Sequence, residues 1–105
     1  MFNPIILSQE ESFLEWLNPD YIDIEEINEE KQLRTVSVSY PIIGDIDHTK
    51  RLFRIGNKLL IPATSGLKTC LYVISSECKQ DYFDENKVSF DAESVLVELN
   101  FVELW

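Results

Sequence analysis

The chain has 105 residues, enough for one domain and too few for two ordinary cores. Hydrophobic residues make up 45% of it and charged residues 27%, with twelve aromatics (six Phe, four Tyr, two Trp), a composition that predicts a packed globular chain rather than a disordered one. Nineteen acidic residues against nine basic give a net charge of −10, a field that disfavours nucleic-acid backbones and anionic membrane surfaces.

In chain order, Ile5-Ile6-Leu7 reads as a first strand. Ser8 with Glu11 three residues on is a capping-box pattern. Phe13, Leu14, Trp16 and Leu17 then fall at helical spacings, which predicts a short N-terminal helix over 9–17, ended by Asn18-Pro19. Tyr21 to Ile27 alternates Ile22 and Ile24 with Asp23 and Glu25. Leu33 to Ile42 alternates Val36, Val38 and Tyr40 with Thr35, Ser37 and Ser39. With the polar Asn28-Glu29-Glu30-Lys31 between them, the two segments predict a β-hairpin. Pro41 ends the second strand or marks it as an edge.

Gly44 to His48 reads as a loop, Leu52 to Ile55 as a strand, Gly56-Asn57 as a turn, and Lys58 to Ile61 as a brief strand closed by Pro62. Ala63 to Gly66 is a further turn. Leu67 to Ile74, the most apolar run, predicts a strand buried on both faces. Glu77 to Asn86 is a polar connection with a turn at Asp84-Glu85-Asn86, and Lys87 to Asp91 is a strand. From Ala92 to Trp105 the pattern is ambiguous: Val95, Val97, Leu99 and Phe101 alternate as in a strand, and a helix near the end fits as well. The run is apolar to Trp105, which predicts either a tucked-in segment or a chain that continues. The expected core comprises Val36, Val38, Tyr40, Phe53, Ile55, Tyr72, Ile74 and Phe90.

The cysteines, Cys70 and Cys78, form no C-x-x-C pair and are too few for a disulfide scaffold, so both read as reduced, Cys70 as buried. Met1 to Leu7 lacks the basic start of a signal peptide, which predicts a protein made and kept in the cytoplasm unless it leaves as part of an assembly. The one histidine, His48, follows Asp45 and Asp47, but a metal site needs three or more ligands converging from fixed geometry, so a solvated loop is the plainer reading. Asp81, Asp84, Glu85 and Asn86 suggest a calcium loop without its central Gly and final Glu, and again read as a solvated turn. No G-x-S-x-G elbow, P-loop or G-x-G-x-x-G is present. No catalytic, cofactor-binding or metal-ligating residue is therefore assigned. A hydrolase working through scattered carboxylates would need a deep cleft holding two or more perturbed acids.

The segment Ile24-Glu25-Glu26-Ile27-Asn28, followed by a strand from Leu33 to Tyr40-Pro41, resembles the opening hairpin of siphophage tail-associated proteins, the tail-tip or prophage endopeptidase tail proteins. Phe53 to Asn57 resembles that family's second strand pair around a "g-N-x-I" turn. Phe90-Asp91-Ala92-Glu93 to Leu99 resembles its "xVxAEHxxYDL" segment, with Ser94 where the family has His and Val97-Glu98 where it has Tyr-Asp. The resemblance spans roughly residues 20–100. It implies that 1–105 is a single β-rich domain at the N-terminal end of a longer hub at the tail tip of a virion. Such a hub would be assembled in the host cytoplasm, trimeric, and in contact with the distal tail and tape-measure proteins. The family's peptidase activity lies elsewhere, so the resemblance carries no catalytic residue onto this chain. The fold expected is mainly β (β-rich α+β): a small antiparallel sheet with one short N-terminal helix, with barrel-like closure implied by the resemblance. The function expected is that of a structural tail-tip (baseplate hub) domain acting in tail assembly and host attachment by protein–protein contacts, without nucleic acid, membrane insertion or cofactor. The alternative is a stand-alone acidic adaptor for a basic partner.

Overall fold

The computed structural model describes residues 3–30, 33–61 and 70–95, with backbone alone at 26–30 and 33–34. The elements in chain order are β1 (Ile5–Leu7), β2 (Phe13–Trp16), β3 (Asp23–Glu30), β4 (Leu33–Pro41), α1 (Ile46–Leu52), β5 (Lys58–Ile61), β6 (Cys70–Ile74), β7 (Lys79–Gln80) and β8 (Lys87–Ser94). The domain is mainly β. All strands join one antiparallel sheet in the order β2-β1-β5-β6-β8-β4-β3, and β7 pairs with β8 beside β6. The sheet is open rather than barrel-like: among the described residues β2 and β3 each pair on one side only.

The β3–β4 hairpin forms as the alternation requires, with a bulge between Glu26 and Asn28. Pro41 is the last residue of β4, which lies inside the sheet between β3 and β8 rather than at an edge. There the missing N–H of proline falls where the ladder ends.

The expected N-terminal helix over 9–17 is instead the end of a hairpin. Ile5 pairs with Trp16 and Leu7 with Phe13, and the register shifts between Ile6 and Leu7. One extra residue in β2 puts Phe13 and Trp16, three apart, on the same face, their rings 5.2 Å between centroids. A bulge thus imitates the i, i+3 spacing of a helix. Ser8 and Glu11 form no capping box either. The Glu11 N–H donates to the Ser8 carbonyl (2.9 Å) and the Ser12 N–H to Ser8 Oγ (3.0 Å), with Glu11 at φ 67° closing a tight turn.

The expected strand over Leu52–Ile55 is likewise overturned. Leu52 ends α1, Phe53 caps it, and Arg54 to Asn57 make a turn, with Gly56 at φ 95° and the Asn57 N–H donating to the Arg54 carbonyl. Asp45 begins the helix, its side chain accepting from the His48 N–H at 2.8 Å, with Asp47 in the first turn and Lys50 and Arg51 in the last. Thr49 is fully buried and ties the helix to its approach: its hydroxyl accepts from the Ile43 N–H (2.8 Å) and faces the carbonyls of Ile43 (3.0 Å) and Asp45 (2.8 Å). At the other end Asn57 Nδ2 donates to the Leu52 carbonyl at 2.9 Å.

The core lies on one face of the sheet. Across β4 and β8, Val36 faces Ala92, Val38 faces Phe90 and Tyr40 faces Val88. Tyr72, Ile74, Leu59 and Ile6 extend this layer towards β1. Phe53, delivered by the end of α1, stacks on Phe90 (4.8 Å) and meets Tyr40 edge-on (6.0 Å). The Asn18 N–H donates to the Tyr40 hydroxyl at 2.6 Å, closing the loop after β2 over the core. Seven of the eight expected core residues are buried; Ile55, on the turn, is 60% exposed. Cys78 is the buried cysteine and Cys70 is half-buried, the reverse of the expected emphasis; neither forms a disulfide. The readings of Ala63–Gly66, of Leu67–Thr69 and of Leu96–Trp105 lie outside the described residues. No helix among the described residues is long and apolar enough to cross a membrane.

Candidate interaction surfaces

Successive side chains of a strand point to opposite faces, so the register fixes the composition of the face away from the core. One row across it runs Trp16, Ile5, Leu60, Leu71. The next runs Phe13, Leu7, Lys58, Val73, Glu93, Thr35. The outer face over β2, β1, β5 and β6 is therefore largely apolar. Phe13 is 51% and Trp16 58% exposed at its margin. Lys58 interrupts it and pairs with Glu11 at 2.8 Å.

Over β3, β4 and β8 the same face is polar. Asp23, Ser39 and Ser89 form one row, and Glu25, Ser37 and Asp91 another. A half-open groove of about 580 Å³ lies here, lined by Asp23, Ile24, Glu25, Ser37, Ser39, Asp81 and Ser89. Lys87 reaches the carboxylate of Asp23 at 3.7 Å. The groove is an acidic, serine-floored surface rather than a cleft, and it suits cationic side chains.

The carboxylates of the suspected calcium loop are occupied by the backbone. Asp81 Oδ1 accepts from the N–H groups of Phe83 (2.8 Å) and Asp84 (3.2 Å), and Asp84 Oδ1 accepts from Asn86 (3.0 Å). Gln80 Nε2 donates to the Glu85 carbonyl at 2.8 Å. The result is a tight β7–β8 hairpin whose tip holds Tyr82 and Phe83, rings 5.0 Å apart and edge to face, 92% and 93% exposed. The sequence reading missed this pair; two adjacent aromatics inside a run of turn-forming carboxylates were the available signal.

Asp45 is spent on capping α1 beside His48 and Asp47. Among the described residues no group of three or more His, Cys, Asp or Glu is placed to hold a metal ion. Burial pushes the Cys78 thiol up to about 11, with Lys50 opposing and Glu77 adding to the rise. Cys78 is thus a protonated core filler at neutral pH rather than an activated nucleophile. Phe53 to Asn57, read by resemblance as a strand pair, is the helix end and turn described above, while Ile24 to Asn28 and Leu33 to Pro41 do form one hairpin. No protein-family model, curated protein or solved structure matches the chain.

Proposed function

We propose that this domain is a structural assembly module that works by protein–protein contact, as a hub domain at the tail tip of a phage or prophage virion. The observation that carries the contact role is the apolar outer face of β2, β1, β5 and β6, with Phe13 and Trp16 more than half exposed at its margin. An antiparallel sheet with one solvated face alternates apolar and polar residues, whereas strands apolar on both faces are made to be covered on both. Edge strand β2, which among the described residues pairs on one side only, adds a row of backbone groups to the same margin. The tail setting rests on the resemblance of residues 20–100 to tail-associated proteins. In that setting the domain is non-enzymatic. Its partners are further copies of itself, in a trimeric hub, and the distal tail and tape-measure proteins; it is assembled in the host cytoplasm and carried in the virion.

The second reading, an acidic adaptor for a basic partner, is favoured by Asp23, Glu25 and Asp81 around the serine-floored groove. Salt separates the two. Charge-led association weakens steeply as ionic strength rises, and apolar assembly does not. The setting is tested by immunogold microscopy on particles released after prophage induction of the source strain, with antibodies to this domain. Gold at tail tips is expected; bare tips in cells shown to make the protein would remove the tail reading and promote the adaptor.

A further inference from the structure

Two surface features outside the sheet face are unlike each other and complementary. The first is the β7–β8 tip, where Tyr82 and Phe83 stand almost wholly in solvent on a hairpin held by Asp81 and Asp84, with Glu85 beside them. Aromatics ordered in advance by a braced turn lose little conformational freedom on docking, which is the character of a contact anchor. The second is the end of α1 and its turn, where Lys50, Arg51 and Arg54 are exposed and Ile55, next in the chain, is 60% exposed. Lys50 and Arg51 suit the helix dipole. That does not account for Arg54 or for the exposed isoleucine. Among the described residues the ion pairs are Lys58–Glu11 and Lys87–Asp23, so these three cations enter none.

We propose that the acidic aromatic tip of one copy, Tyr82–Phe83 with Glu85, docks on the basic apolar patch of a second copy, Lys50, Arg51, Arg54 and Ile55. Charge complementarity selects the occupant. In a chain of net charge −10, nine cations are scarce, and three of them fall within five residues beside an exposed isoleucine. Tyr82 and Phe83 do not meet this patch within their own chain, since both are more than nine-tenths exposed. A membrane surface fits the tip less well, because anionic headgroups repel carboxylates. The contact joins unlike surfaces, so it leaves a tip free at one end of a pair and a patch free at the other, and can close a ring or continue. The proposal rests on the reading of the domain as an assembly module, and not on the tail setting.

Sedimentation velocity over a concentration series at about 0.15 M salt tests it. The unmodified chain is expected to self-associate. A Tyr82→Ser/Phe83→Ser variant and a Lys50→Gln/Arg51→Gln/Arg54→Gln variant should each associate at least about tenfold more weakly. Both should stay folded, the tip variant with the thermal midpoint of the parent and the patch variant slightly below it for the loss of two charges at the helix end. An equimolar mixture of the two retains one intact tip and one intact patch and should form mixed pairs. Undiminished association of the tip variant would overturn this contact while leaving the assembly reading standing. A mixture that stays monomeric, or an unmodified chain monomeric at every concentration, would also overturn it, as would binding of the tip to zwitterionic vesicles in place of a second copy.

Discussion

The two halves of the sheet differ in how many of their faces are apolar. Strands β4 and β8 put Val36, Val38, Tyr40, Val88, Phe90 and Ala92 inward, and Ser37, Ser39, Ser89 and Asp91 outward. Strands β1, β5 and β6 put Ile6, Leu59 and Tyr72 inward, yet also carry Ile5, Leu60 and Leu71 on the other side. Both halves thus share one core, and only one half presents a second apolar layer. The outer apolar layer is itself buried at Leu71 and half-buried at Ile5 and Leu60, and it opens to solvent at Phe13 and Trp16, whose purpose has to be sought outside the core.

The largest test of this division is Phe53→Ala. The ring is fully buried and bridges Tyr40 and Phe90, so its loss should cost about 3–5 kcal/mol by chemical denaturation. Tyr72→Ala, under the other half, should fall in the same range, since one core serves both. A much smaller loss at either position would mean that the halves are held separately.

A smaller effect comes from Cys78, between β6 and β7. Its folded pKa, about 11, lies above the ordinary thiol value of 9.0. Below pH 9 both folded and unfolded chains hold the proton and the contribution is constant. Between pH 9 and 11 the unfolded chain loses the proton first, so stability falls, by up to about 2–3 kcal/mol. A Cys78→Ala variant should lack that part of the alkaline slope, read as the difference between two denaturation series.

Thr49→Val preserves shape and removes the hydroxyl that serves Ile43 and Asp45. The half-buried Ile43 N–H loses its acceptor, and the expected loss is about 1–3 kcal/mol by urea titration. Glu11→Gly is the smallest change and has the opposite sign. Relief of the left-handed conformation at φ 67° should stabilise by about 1 kcal/mol or less, offset in part by the lost pair with Lys58.

Where strands were regular, the sequence announced them. The period-2 alternation of Val36, Val38 and Tyr40 is a direct print of a one-sided core, and the β3–β4 hairpin followed from it. The misreadings share a cause, a local irregularity that changes the spacing. The bulge in β2 moved Phe13 to three residues from Trp16 and so mimicked a helix. In α1 only two turns are present, too few for a periodicity to show, and the last buried residues run on into Phe53 before the chain turns at Gly56. The interaction surfaces were less legible because they are made by register. Trp16, Ile5, Leu60 and Leu71 come from four strands and become one row only when the order β2-β1-β5-β6 is known. Tyr82 and Phe83 looked like loop residues, and it is their exposure that distinguishes them.

The central claim is that the outer aromatics are held for a partner and not for the fold. It is tested most directly by the urea denaturation midpoint of a Phe13→Ser/Trp16→Ser variant. The two rings are large but more than half exposed, and lie 5.2 Å from each other, so the predicted loss is about 1 kcal/mol. A loss as large as that of Phe53→Ala would place this edge in the core and contradict the account.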